Sequence, residues 1–490
     1  MSGWESSLVK ATDFGDRWGM SLDLITEEMI ARQPAEAQAI IRVLLAKLAE
    51  LEAEVRALKK TPQNSSLPPG SQHPHAKPAP PKGKSKRKHG GQPGHARCER
   101  PLIPSAQCER VVELQPTACR RCGRKLSGRD AQPRRHQVWE LPEIKPLVVE
   151  YRRHRLACLC CRETTCAELP VGVPSGQSGP RLTAFVGLLM ACFRQSKRRT
   201  ALFLETILNQ PCSTGLTVKL QNIVTDALRP AYDGLCEQLP SQPVLNIDET
   251  PTKEGANKSW LWAFVAPRFT IYRIRPNRAA TILDELLTER FEGVVGCDRA
   301  KMYWRLKRLQ WCWAHLIRDF QSLIDTGPPA AQQLGRDLLK QTKLLFQHWH
   351  RFRQQHLTRT GLTRTGLKRT LAPVRAEIER LLLRGLRGQH PKTSGTCQEL
   401  LQHRGWLWTF LDHDGVEPTN NASERALRPA VIARKLSFGT QSAKGSRFIE
   451  TLLTVIETCR QQSRNVFDFL TNATTRLYAN QTAPSLLPSA

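Results

Sequence analysis

Apolar and polar positions follow three rhythms along this chain, each over a different stretch. Ala37, Ile41, Leu44, Leu48, Leu51, Val55 and Leu58 are spaced 4, 3, 4, 3, 4, 3. This is an a/d seam over about three heptads, which predicts a self-association helix or an amphipathic helix packed on its own domain. Residues 180–235 read as helices. "SKRRTALFLETILN" and "TGLTVKLQNIVTDAL" flank "QPCS", with Ser213 placed as an N-cap, and such a pair could form a helix-turn-helix.

From residue 241 the rhythm shortens. "PVLNIDE", "SWLWAFVA", "FTIYRIR", "GVVGCD" and "LQWCWAH" predict five strands, the second and third joined as a hairpin at Pro267-Arg268. "AATILDELLTERF" lies between the third and fourth and is helical by its apolar spacing. Strands with acids near their ends, plus helices, predict a mixed α/β sheet. Residues 329–410 are then helical and basic, include the short repeat "TRTGLTRTGLKRT", and carry no further sheet signal.

Composition sharpens this picture. Residues 61–98 hold seven cations, eight prolines, five glycines and no acid, so they cannot build a core and read as a flexible linker. Over the whole chain 73 Lys and Arg face 44 Asp and Glu, a formal charge of +29, which points to an acidic partner with nucleic acid as the first candidate. The candidate DNA contacts in the linker are Lys82, Lys84, Lys86, Arg87 and Lys88. The longest apolar candidate for a membrane span, "AFVGLLMACF", covers ten residues and is too short to cross a bilayer. Residues 1–30 carry acids and lack a secretory pattern, so a cytoplasmic protein with reduced thiols is expected.

In that compartment cysteines are metal ligands or buried apolar groups. "CRRC" supplies Cys119 and Cys122; "CLCC" supplies Cys158 and Cys161. Two C-x2-C pairs can complete a tetrahedron around one structural Zn2+, with no position left open for water. The 35 residues between the pairs require a β-hairpin to bring them together. Cys98, Cys108, Cys166, His95 and His154 are possible substitutes.

Acids carry the second candidate chemistry. Asp248 lies near the end of the apolar run "VLNIDET", and Asp298 ends "GVVGCD". A carboxylate in such a place is costly unless a metal or a cap receives it. Two-metal phosphoryl transfer needs about three converging carboxylates. Two strand-terminal aspartates separated by a hairpin and a helix match the order of a ribonuclease H-like fold, in which the first and fourth strands are neighbours. Glu249, Glu254 and Asp284 are less favoured, because they read as turn or helix-face residues. Glu424 in "NNASERALRP" is either the last member of such a site or a helix cap with a surface ion pair. There Asn421 and Glu424 also have the spacing of a capping box, and Pro429 is expected to kink or restart the helix.

With these motifs in order, the sequence resembles the insertion-sequence 66 transposases, which are DDE enzymes. The resemblance runs from about residue 35 to 475. It rests on the heptad, "HGGQPGH", the paired C-x2-C motifs, "LPVGVPSGQSGPRLTAFVGLL", "DET", "CDRAKMYW", "CWAHLIRDF", "NNASERALRP" and "ARKLSFGTQSAKG". Arg299 follows Asp298 where that family commonly has glycine.

The resemblance implies a ribonuclease H-like catalytic domain interrupted by a helical insertion. It places the catalytic and metal-binding D, D and E on Asp248, Asp298 and Glu424, with two Mg2+ or Mn2+ ions. Arg425, Arg428, Arg434 and Lys435 would hold phosphates on or near the Glu helix. The expected activity is cleavage at the ends of an insertion sequence and transfer of the freed 3′-OH into target DNA, by a protein associated with the bacterial nucleoid. Homo-oligomerisation through the zipper and companion proteins from the same element are expected partners. Two other readings remain open: a non-catalytic zinc-containing DNA-binding protein, or a nuclease of the same fold without strand transfer.

The expected organisation is an N-terminal extension (1–33), with Met20 as an alternative start, a zipper (34–60), a linker (61–97) and a zinc-binding module (98–170). A helical region (171–240), the first part of the catalytic domain (241–328), the insertion (329–410), the second part (411–478) and a tail (479–490) follow.

Overall fold

The computed structural model describes residues 27–58, 100–355, 363–437 and 439–487. The linker residues Lys82, Lys84, Lys86, Arg87 and Lys88 lie outside them. Two compact units separate. The first draws on Met1–Gln72, Arg152–Thr200 and Ser213–Ala490, and the second on His73–Tyr151 and Ala201–Cys212.

In chain order the helices and strands are α1 (Glu27–Ala31), α2 (Ala35–Leu58), β1 (Arg155–Ala157), β2 (Thr164–Cys166), α3 (Pro180–Ala191), α4 (Lys197–Leu208) and α5 (Thr214–Glu237). Then come β3 (Val244–Glu254), β4 (Asn257–Val265), β5 (Thr270–Arg275), α6 (Thr281–Leu287), β6 (Val294–Cys297) and β7 (Leu309–Trp311). The remainder is helical: α7 (Trp313–Thr326), α8 (Pro329–Gln355), α9 (Arg364–Leu386), α10 (Pro391–Gln402), α11 (Asn421–Ser437), α12 (Ala443–Gln461) and α13 (Val466–Tyr478).

The heptad stretch is helical, as its period requires, and α2 packs on α7. Its seam residues Leu44, Leu48 and Leu51 stay exposed. Ser213 caps α5 by accepting from the Leu216 N–H at 3.1 Å. α5 is built into the core against α3, α12 and α13, with Leu220, Val224, Leu228 and Leu235 buried.

The central sheet has the order β5-β4-β3-β6-β7. β3, β4 and β5 form an antiparallel meander; β6 and β7 run parallel to β3. The expected hairpin forms around Pro267-Arg268, closed by the Ala266 N–H on the Phe269 carbonyl. Both faces of the sheet are covered. Leu261, Ala263, Val265, Tyr272 and Ile274 pack against Ala426, Leu427 and Ala430 of α11. On the opposite face Trp262 lies edge-on to Tyr303. Burial on both sides explains why these strands read as apolar runs rather than alternating ones.

The β5 edge is closed by a helix. The backbone N–H groups of Thr270, Tyr272 and Ile274 donate to Thr458, Thr454 and Glu450 of α12. Four helical residues rise about 6 Å and two strand residues about 6.8 Å, so the periods match over this short span. An edge left bare would be free to pair with another chain.

Among the described residues, the α-helices α8, α9 and α10 lie between α7 and α11, followed by short 3-10 turns at Arg404–Leu407 and Thr409–Leu411. The chain leaves and re-enters the sheet at one place. Gln310 and Trp313 donate to the Leu407 carbonyl, Gln310 accepts from the Phe410 N–H, and the Trp313 N–H meets the Pro418 carbonyl.

Candidate active site

Asp248 sits inside β3, not at its end. The strand continues to Glu254 because it pairs with β4 as far as Glu254–Asn257. What ends near Asp248 is the parallel pairing with β6, which stops at Asn246–Gly296. Extending that register by two residues sets Asp298 beside Asp248. The pairing of Cys297 with Trp311 likewise puts Cys312 next to Asp298. Asp248, Asp298 and Cys312 thus form a row where the parallel pairing of β3, β6 and β7 finishes.

Glu424 enters this row from α11. The helix begins at Asn421, so the residue before its first turn is Asn420; the expected Asn421–Glu424 capping box does not form, and the Asn420 side chain turns to β3 rather than capping the helix. Asn420 donates to the Ile247 carbonyl at 2.8 Å, its N–H donates to Cys312 Sγ at 3.1 Å, and its carbonyl accepts from the Glu424 N–H at 3.4 Å. α11 runs on to Ser437 through Pro429, which neither ends nor restarts it.

The electrostatics are those of crowded like charges. Burial is the largest cause that holds the Asp248 carboxyl well above the usual carboxylate range; Glu249, Asp298 and Glu424 add to it, while the Glu249 N–H opposes it. Asp298 accepts from the Ala300 N–H at 2.8 Å and faces Arg278 at 3.5 Å. Glu424 faces Arg318 at 3.6 Å and His315 Nδ1 at 3.8 Å. Burial, with Arg318 and Arg299 beside it, pulls the His315 imidazole down to about 3, so it is neutral at neutral pH and forms no ion pair there.

Glu249, set aside as a turn residue, is almost fully buried. It is held by Arg278 and by the Tyr303 hydroxyl. Burial and Asp298 push its carboxyl up to about 7, against the pull of Arg278 and Tyr303. Arg278 therefore bridges Glu249 and Asp298. The signal available in the sequence was the doubly covered strand: when Asp248 faces one layer, its neighbour faces another and is buried too.

Among the described residues, one group of His, Cys, Asp or Glu has ligand atoms all within 4.8 Å of one another: Cys312, His315 and Glu424. Arg425 and Arg428 are exposed on α11, and Lys435 is exposed near its end. Arg434 is engaged within the fold, donating to Thr250 and to the Pro251 carbonyl. Arg299, where glycine is common, pairs with Asp319 and Glu399, both at 2.9 Å.

The two C-x2-C motifs form the same turn. Cys119 N donates to the Arg124 carbonyl and Gly123 N to the Cys119 carbonyl; Cys158 N and Arg162 N do the same with Glu163 and Cys158. Gly123 and Arg162 hold equivalent left-handed positions, at φ 72° and 62°. The Cys119 thiol is lowered by the N–H groups of Cys122 and Arg121, and the Cys158 thiol by those of Cys161 and Cys160.

The sequence matches the Transposase IS66 family over residues 176–447, more than half of the chain and spanning all three acids. The chain belongs to that family. Residues 26–101 of this transposase-family protein also match a family of unknown function (DUF6444). Two Sinorhizobium fredii proteins are similar to it. Uncharacterized protein y4qI is 26% identical over 277 residues, covering 51% of this chain and 50% of its own length. Uncharacterized protein y4hP is 23% identical over 403 residues, covering 74% of this chain and 70% of its own. The chain thus spans half the length of the first of these relatives. No helix among the described residues of this family member is long and apolar enough to cross a membrane.

Proposed function

We propose that the protein is a DNA transposase of the DDE type on a ribonuclease H-like fold, with Asp248, Asp298 and Glu424 as its metal-binding acids. What supports this is the neighbourhood of the three: Asp298 and Glu424 both lie near enough to raise the Asp248 carboxyl, although the oxygens of the three do not all come within 4.8 Å of one another. Two lie at matched register on neighbouring parallel strands, and the third comes from α11, anchored beside Asp248 through Asn420. Membership of the transposase family and the sheet order β5-β4-β3-β6-β7 support the same reading.

The donor set fits divalent Mg2+ or Mn2+. Hard carboxylate oxygens suit such ions, and a carboxyl raised by burial and by neighbouring acids is relieved by a nearby cation. When bound, the ions supply Lewis-acid stabilisation of the attacking and leaving oxygens. The protein's part is positioning and charge. Asp248 and Asp298, fixed by the sheet, set one side of the site, and Glu424 sets the other.

In the first reaction a water oxygen forms a bond to a phosphorus at the element's end. The P–O3′ bond breaks and the 3′ oxygen leaves as a hydroxyl with a proton. In the second reaction that 3′-OH loses its proton and bonds to a target phosphorus, the target's P–O3′ bond breaks, and the displaced 3′ oxygen leaves as a hydroxyl with a proton. Arg425 and Arg428 are placed to hold backbone phosphates on the exposed side of α11, as is Lys435 near its end. A cavity of about 740 Å3 beside the start of α11 is lined in part by Asn421, Arg425 and His350. Each C-x2-C turn, with its lowered thiol, suits zinc ligation.

The test is purified protein with element-end DNA and Mg2+, with Glu424→Gln alongside. Cleaved ends joined to target DNA by wild type only are expected. Cleavage without joined product indicates a nuclease. Equal products from both proteins overturn the assignment of Glu424.

A further inference from the structure

Cys312 and His315 lie on α7 where Glu424 arrives from α11. Cys312 is the residue before the first turn of α7, and His315 falls within that turn, so both side chains are fixed by one stretch of backbone. Cys312 Sγ is buried and accepts the Asn420 N–H at 3.1 Å. His315 Nδ1 is buried with no hydrogen-bond partner and faces Glu424 Oε1 at 3.8 Å. Leaving a buried ring nitrogen unsatisfied is costly, and a cation offers it a partner. Arg318 stands at 3.6 Å from the same Glu424 oxygen and neutralises it.

We propose that Cys312, His315 and Glu424 form a site for one borderline transition-metal ion, with Zn2+ the best match, distinct from the oxygen-rich position offered by Asp248 and Asp298. A thiolate, an imidazole and a carboxylate select Zn2+ or Co2+ over Mg2+. Three protein ligands leave a fourth position for water. The N–H···S bond from Asn420 acts as an outer-shell support of the kind that steadies metal-bound ligands. Binding releases the Cys312 proton to solvent, and the ion displaces Arg318 as the countercharge of Glu424.

This inference rests on the reading of Glu424 as a catalytic acid for its consequence, though not for the site itself. Glu424 cannot serve both positions, so Zn2+ here withdraws the third acid and acts as a brake on Mg2+-dependent cleavage.

The experiment measures zinc per chain in the full-length protein, equilibrated with ZnCl2 and freed of excess by gel filtration. Wild type, Cys312→Ser and His315→Gln are compared, with thermal melts of the metal-free proteins as a control for folding. Each folded variant is expected to hold one equivalent fewer than wild type. The C-x2-C motifs contribute equally to all three proteins and cancel. Equal zinc content in wild type and a folded variant overturns the site; if one variant fails to fold, the other decides. A Co2+ titration, in which the thiolate charge-transfer band weakens in Cys312→Ser, gives a second readout without activity. If the equivalent is lost but Glu424→Gln still cuts and joins DNA, the site stands and the catalytic assignment fails. If Glu424→Gln is dead and zinc content is unchanged, the reverse holds.

Discussion

The carboxamide of Asn420 donates a 2.8 Å hydrogen bond to the carbonyl of Ile247, the residue next to Asp248. It ties the first turn of one helix to the strand that carries the first acid. Removing it in Asn420→Ala leaves a buried carbonyl unsatisfied, at a cost of about 1–3 kcal/mol. Glu424 would lose its fixed position as well. Urea denaturation is expected to show the first effect and cleavage assays the second, with activity falling more than the unfolded fraction explains.

Glu424→Gln keeps the shape of the side chain and removes its charge. Metal-dependent cleavage and joining should fall by roughly a hundredfold or more, the scale on which charge-stabilising groups act in active sites. DNA binding measured by filter retention should persist, because that term comes from Lys and Arg at the phosphates.

Glu249 links stability to pH. Its carboxyl is raised from 4.5 to about 7 in the folded protein. The folded state therefore holds a proton that the unfolded state releases, and the contribution is complete below pH 4.5. It is lost as pH rises through 7, on the order of 3 kcal/mol across that window. Glu249→Gln should flatten this part of the curve. The check is the difference in urea midpoint between wild type and variant from pH 4.5 to 8, and a constant difference would refute it.

Thr454→Val is nearly isosteric yet leaves the Tyr272 N–H without its acceptor. A loss of about 1–3 kcal/mol is expected, while Thr454→Ser should cost less. A greater tendency to aggregate should accompany the valine variant, since part of the β5 edge becomes available for pairing. Light scattering at matched stability measures it.

Zinc content should fall in Cys119→Ser and in Cys158→Ser, whose thiols lead the two matching turns. Elemental analysis decides this; unchanged zinc in both removes the ligand assignment.

Much of the fold could be read from period and composition. The heptad gave α2 because an unbroken a/d seam has one regular solution. The strand runs and the Pro267-Arg268 turn were legible because apolar, β-branched and aromatic runs between turn residues have few alternatives. Asp248 and Asp298 were legible as acids within apolar stretches. Glu249 was not, because at the end of its run it reads as a turn residue, and its partners Arg278 and Tyr303 are supplied by tertiary structure. The expected Asn421–Glu424 capping box does not form, because the helix starts one residue after Asn420 and the Asn420 carboxamide goes to Ile247, a tertiary contact that "NN" does not show. Cys312 stayed hidden among fifteen cysteines; its C-x2-H spacing to His315 was the available cue. Arg278 lies in a loop, and its bridge between Glu249 and Asp298 is set wholly by tertiary structure.

The hydrogen bonds between Gln310, Trp313, Leu407, Phe410 and Pro418 have one further consequence. The long helical excursion starts and finishes at a single clamped doorway, so the acids do not depend on its length. Lengthening or trimming a detour whose ends are already held together changes closure entropy only slowly. The excursion can therefore change in length while the acids keep their places, which makes its size and their arrangement separately adjustable parts of one chain.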